Sequence, residues 1–202
     1  SERLKVTDIE RDQFDQVGKF WFAVPGNVVK FNLTMITAWA QIMERCPDAR
    51  LLLYCPEQRS RQALADQFKL LGIEPSQLLF MERLPAATYL GMIKQVDLML
   101  DTWPYSSGTT CTDALGVGVP VLTRAGKAMH SRMASSILKN VPGLTSLITE
   151  TIDDYVSKAV EVCHDKELLD TYRAAIKHGF RSCPVGNVKL QAQILENAYE
   201  QI

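Results

Sequence analysis

Short, nearly unbroken apolar runs alternate along the chain with longer stretches in which apolar residues recur every three to four positions. Residues 19–24 (KFWFAV) form the first run, closed by Pro25-Gly26, and predict a buried strand followed by a turn. Asn32 is placed to cap a helix over 34–45, with Ile36, Trp39, Ala40 and Met43 on one face and Pro47-Asp48 beyond its end. The alternation then repeats. Strands are predicted over 51–55, 78–81, 96–101 and 120–123, and helices over 58–71, 86–94, 109–117 and 130–139. Three closing helices are predicted over 153–163, 166–178 and 188–199. Strands that are apolar throughout, each followed by an amphipathic helix, belong to a parallel sheet covered on both faces. The fold class read from the pattern is therefore α/β, a Rossmann-like doubly wound sheet with extra helices at the carboxyl terminus. Residues 1–18 are polar and weakly patterned and read as a linker or tail; 19–202 read as one domain. No internal repeat is present.

Composition narrows the partners more than the fold. The 202 residues, 47% hydrophobic and 22% charged, suit a globular chain that buries roughly 70% of its unfolded surface without a staple. Twenty-two Lys and Arg stand against 23 Asp and Glu, so the basic footprint of a nucleic-acid grip is missing. No apolar run approaches the roughly 18 residues of a membrane span. The five cysteines, Cys46, Cys55, Cys111, Cys163 and Cys183, are scattered without C-x-x-C spacing, which points away from a zinc knuckle and towards a reduced, cytoplasmic setting. The chain begins at Ser1 rather than Met and reads as a piece of something longer.

Candidate chemistry lies where the strands end, because an open parallel sheet binds ligands beyond its carboxyl edge. The run 98–101 (LMLD) enters the small, hydroxyl-rich loop 102–108 and then a helix opening Thr109-Thr110. Free N–H groups and the dipole at a helix N-terminus make an anion site, and the two threonines add hydroxyls. Asp113, one turn further on, could reach a ribose hydroxyl. The plainer reading stands beside this one: Ser107 or Thr109 as an N-cap, and Asp113 as a favourable first-turn charge. Lys30, after the first strand, is either a point charge for a diphosphate or a solvated lysine. Tyr89 either stacks on a base or packs with its hydroxyl outward. His130 either touches a sugar or phosphate or is a surface histidine; His164 and His178 receive no role. No G-x-G-x-x-G or Walker loop is present, and no nucleophilic triad is supported by spacing.

The segments together resemble the carboxyl-terminal catalytic half of the SPINDLY / O-GlcNAc transferase family. The carrying residues are Leu100-Asp101-Thr102-Trp103-Pro104-Tyr105, Gly108-Thr109-Thr110-Cys111-Thr112-Asp113-Ala114-Leu115 and Gly118-Val119-Pro120-Val121-Leu122-Thr123 with Gly126. Lys30-Phe31-Asn32, Trp39-Ala40-Gln41-Ile42, Ser182-Cys183-Pro184-Val185 and Ala198-Tyr199 support them. The resemblance implies half of a GT-B glycosyltransferase, whose two Rossmann-like domains face each other across a cleft. Residues 19–202 would then be the nucleotide-sugar-binding domain. Lys30 would support the donor diphosphate and help the leaving group, as the catalytic residue of this half. Thr109 and Thr110 would bind phosphate, Asp113 the ribose, Tyr89 the uracil, with Asn27 near the phosphates and Tyr105 and Gly108 completing the site.

The resemblance implies a UDP-sugar donor, UDP-N-acetylglucosamine first, and transfer to Ser or Thr of a protein acceptor, with no metal and no other cofactor. It places the amino-terminal catalytic domain and helical repeats outside this sequence, so the piece alone is expected to bind donor weakly and transfer little. Three positions depart from animal O-GlcNAc transferases: Ala86 replaces a base-contacting lysine, Met92 an arginine, and Gly108 a histidine. UDP-glucose and GDP-fucose therefore stay open as donors. Two other classes stay open: a non-catalytic interaction module, disfavoured by retention of Lys30, Thr109, Thr110 and Asp113 together, and a GT-B-type epimerase, disfavoured by the poverty of acid/base groups.

Overall fold

A computed structural model describes residues 18–201, so the expected linker lies, but for Gly18, outside the described residues. Among the described residues six parallel strands form the sheet in the order β3-β2-β1-β4-β5-β6. They are β1 Trp21–Val24, β2 Arg50–Tyr54, β3 Leu78–Met81, β4 Leu98–Leu100, β5 Val121–Arg124 and β6 Ile148–Thr149. The helices are α1 Leu33–Arg45, α2 Gln58–Leu70, α3 Ala86–Lys94, α4 Thr109–Gly116, α5 Met133–Lys139, α6 Ile152–His164, α7 Lys166–Gly179 and α8 Val188–Tyr199. The inner strands β1 and β4 are buried throughout, whereas β3 at the edge alternates in exposure. Crossovers leave β1 towards β2 and β4 towards β5, so β1 and β4 flank the point where the strand order reverses.

Local chemistry sets the element ends. Asn32 caps α1 by accepting from Met35 N–H at 3.1 Å, and Gly72, at φ +83°, turns the chain after α2. α1 packs on α6 across one face, while α3 meets α4 and α4 meets α5. In the α1–α6 layer Trp39, fully buried, donates its Nε1–H to Tyr155 Oη at 3.4 Å and meets the Phe31 ring edge-on. Tyr155 in turn donates to the Asp101 carbonyl at 2.9 Å, which ties this layer to the carboxyl edge of the sheet.

Two expectations are corrected. The helix expected over 130–139 is a 3-10 turn, Met129–Ser131, followed by α5. The carbonyls that would have continued a helix are taken by other loops: His130 O accepts from Ser106 N at 2.8 Å and Ser131 O from Gly126 N at 2.8 Å. Strand β6 was not expected; two residues carry no periodicity, and its place is set by pairing Thr123 with Ile148 and Arg124 with Thr149. The Gly126–Ser131 closure leaves no room for a side chain, since a Cβ on Gly126 would stand 2.1 Å from Ser131 Oγ and 2.5 Å from its Cβ. Gly126→Ala is expected to cost about 1–3 kcal/mol through this overpacking. Thermal unfolding checks it, and an unchanged midpoint would contradict the closure.

Candidate donor-phosphate site

The carboxyl edge at the β1/β4 crevice gathers most of the candidates. Val28–Lys30 is a 3-10 turn whose cap is Asn27, the side-chain carbonyl accepting from Val29 N–H at 3.1 Å. Asn27 thus shapes the turn that presents Lys30. The Lys30 ammonium lies 4.4 Å from the centroid of the Tyr105 ring, which comes from the loop after β4. Partial burial lowers the Lys30 pKa from the usual 10.5, and the charge of Asp101 works against that fall. The other face of the loop is tied down: Asn32 Nδ2 donates to Trp103 O at 2.6 Å, and Thr102 Oγ1 to Tyr105 O at 2.7 Å.

α4 opens at the same edge. Its N-cap is Gly108, which has no side chain to cap with, so neither Ser107 nor Thr109 is the N-cap. Thr112 N–H is bonded to Gly108 O, and its hydroxyl to Thr109 O at 2.7 Å. The amides of Thr109, Thr110 and Cys111 precede the first intrahelical bond, and among the described residues the Thr109 and Thr110 hydroxyls have no hydrogen-bonding partner either. Open amides and two hydroxyls at a dipole's positive end suit an anion. Gly108 is also the close-approach point: a Cβ there would come 2.7 Å from Met133 Cε.

Asp113 lies beyond the first turn of α4, so its place does not serve the helix dipole. It stands beside Tyr89 of α3: burial raises the Asp113 pKa above its usual value, and burial, with the Asp113 charge added, pushes the Tyr89 phenol well up. Lys30 and Tyr105 are therefore brought together in contact, and Tyr89 and Asp113 lie on the packed helices α3 and α4, close enough for the phenol to feel the carboxylate charge.

Asp101 and Arg124 received no role from the sequence, and His130 was left between two readings. Asp101, only 1% exposed, accepts from Ser106 Oγ, Ser107 N–H and Thr123 Oγ1. Its signal was an acid closing an apolar strand run directly before hydroxyl residues. Exposed His130 stacks on Tyr105, ring centroids 6.0 Å apart, which gives the surface histidine a specific neighbour. Arg124 lies 3.9 Å over the Trp103 ring, an arrangement no local spacing foretells. Among the described residues no three His, Cys, Asp or Glu side chains gather as metal ligands, and no helix is long and apolar enough to cross a membrane.

A model of glycosyl transferase family 41 matches residues 22–195. A barley (Hordeum vulgare) relative, described as a probable UDP-N-acetylglucosamine–peptide N-acetylglucosaminyltransferase SPINDLY, is 29% identical over 192 residues, covering 92% of this chain and 20% of that protein. The chain thus spans about a fifth of the length of such relatives. Among solved structures, a mutant of the Thermobaculum terrenum O-GlcNAc transferase matches with TM-score 0.84 and 28% identity, over 91% of this chain and 36% of that one. A putative UDP-N-acetylglucosamine 2-epimerase from Listeria monocytogenes matches at TM-score 0.56 and 16% identity, over 81% of this chain and 40% of that one, a likeness of fold alone.

Proposed function

The chain belongs to glycosyl transferase family 41, and on that premise we propose that it is the donor-binding half of a protein O-glycosyltransferase using a UDP-sugar, UDP-N-acetylglucosamine first. The observation that carries this reading is that the Lys30 ammonium lies against Tyr105, in the loop that leads into the uncapped N-terminus of α4. Transfer of the sugar breaks its bond to the diphosphate and leaves negative charge on the departing oxygens. Fixed donors aimed at that charge lower the barrier because they need no reorganisation as it develops. Lys30 supplies a positive charge, and the amides and hydroxyls of Thr109 and Thr110 supply hydrogen bonds, so this half neutralises the leaving group with its own residues. Asp113 accepts from the ribose, and Tyr89 lines the base side. The acceptor, and the upstream half that presents it across the cleft, come from chain outside this sequence.

Calorimetric titration with UDP, UDP-N-acetylglucosamine and GDP tests the reading. Saturable binding of the uridine species is expected, with GDP weaker. Asp113→Ala is expected to weaken UDP about tenfold, the worth of one hydrogen bond to a charged acceptor. A folded protein that takes up no nucleotide, or that prefers GDP, would overturn the donor assignment.

A further inference from the structure

Asp101 closes β4 at the point where the strand order reverses, and the sugar-transfer chemistry above makes no use of it. A carboxylate this buried is unfavourable unless donors surround it. They reach it from two directions: Ser106 Oγ at 2.7 Å and Ser107 N–H at 2.9 Å from the loop, and Thr123 Oγ1 at 2.7 Å from β5. Ser106 is itself a junction, its Oγ accepting from Ala134 N–H of α5 at 3.0 Å while its N–H donates to His130 O at 2.8 Å. The two loop residues clamped by Asp101 are those directly ahead of Gly108 and α4. Burial lifts the Asp101 pKa while these donors pull it back towards the ionised form. The titratable groups that feel its charge are the Cys111 thiol and the Tyr155 phenol, both held protonated by burial, and the Lys30 ammonium, which it stabilises.

We propose that Asp101 is a positioning residue of the donor site: its hydrogen bonds fix the 106–108 turn that aims the α4 N-terminus. The proposal rests on the donor-site reading, and it makes a demand that a merely structural acid would not: UDP affinity must depend on all three donors while the fold does not. The carboxylate that accepts them must also be ionised, and its charge is then sensed at Lys30 even when the site holds no nucleotide.

The test uses the whole chain in five forms: unaltered, Asp101→Asn, Ser106→Ala, Thr123→Val and Lys30→Arg. Lysine amines are reductively methylated with ¹³C and titrated by NMR without nucleotide, the Lys30 signal being assigned by its loss in Lys30→Arg. UDP affinity is measured calorimetrically, and thermal unfolding confirms the fold. In Asp101→Asn the Lys30 midpoint is expected to move to lower pH and UDP affinity to fall at least about tenfold. Ser106→Ala and Thr123→Val, which keep the carboxylate, are expected to weaken UDP by a smaller factor and to leave the Lys30 midpoint within a few tenths of a unit of its starting place. An unmoved Lys30 midpoint in folded Asp101→Asn overturns the ionised acceptor on which the clamp depends. Unchanged UDP affinity in Ser106→Ala and Thr123→Val overturns the clamp, and these two variants decide it even if Asp101→Asn does not fold. If the unaltered chain takes up no UDP, the donor-site reading fails by itself, while the nucleotide-free titration still decides whether Lys30 senses Asp101.

Discussion

Lys30→Ala is expected to weaken UDP binding by roughly ten- to a hundredfold, the range of a charge-assisted contact worth about 1.5–3 kcal/mol. The fold should be untouched, because Lys30 closes a 3-10 turn held by Asn27 and contributes nothing to the buried core. The loss should be larger for UDP than for uridine, since the ammonium would meet the diphosphate and not the base. Titration with both ligands separates the two, and an equal loss for uridine would mean that the variant disturbs the site as a whole. In the complete protein the rate of transfer should fall by more than the affinity, because charge on the leaving diphosphate is greatest in the transition state. The ammonium also sets a pH limit. Its pKa lies below 10.5 because burial disfavours the charged form. Affinity for UDP should therefore be full at neutral pH and decline as pH rises through that lowered value, earlier than for a solvated lysine. Lys30→Arg, which stays charged, should remove the alkaline decline.

The largest expected effect on stability is at Trp39. The side chain is fully buried between α1 and α6, with Phe31 at its ring and Tyr155 as its hydrogen-bond acceptor. Trp39→Ala is expected to cost about 3–5 kcal/mol, the sum of lost transfer free energy and an unfilled cavity. Trp39→Phe keeps most of the volume and removes the Nε1–H, so a loss of about 1 kcal/mol from the hydrogen bond adds to a smaller packing cost. Urea unfolding of the three proteins measures both. A Trp39→Ala protein as stable as the parent would contradict the packing described for this layer.

Much of the fold was legible because each element carries its own signal. The strand β3 and the helix α3 fall on the predicted residues, the first an apolar tetrapeptide and the second a stretch opened by Pro85. Where the structure departs from the pattern, distant partners set it. The backbone of 129–132 answers to Ser106 and Gly126 rather than to its own helix propensity, and β6 exists because β5 offers it an edge. The site divides in the same way. Lys30, Thr109, Thr110 and Asp113 could be named because the carboxyl edge of a parallel sheet is where ligands bind. The geometry also discards the plainer alternative for α4, since its N-cap is a glycine and its acid sits past the first turn. Asp101 could not be given a role from spacing, since one of its donors, Thr123, comes from the next strand, 22 residues on.

The bond from Tyr155 to the Asp101 carbonyl spans 54 residues and joins the crevice loop to a helix made after the inner strands. A ribosome delivers β1, β4 and β5, with Lys30, Tyr89, Thr109, Thr110 and Asp113, before it delivers α6. Until Tyr155 emerges, the Asp101 carbonyl lacks its donor and Trp39 lacks the helix that covers it. The nascent chain thus holds all the chemical groups of the site for a time without their final scaffold, and assembly of the crevice waits on the carboxyl-terminal third of the domain.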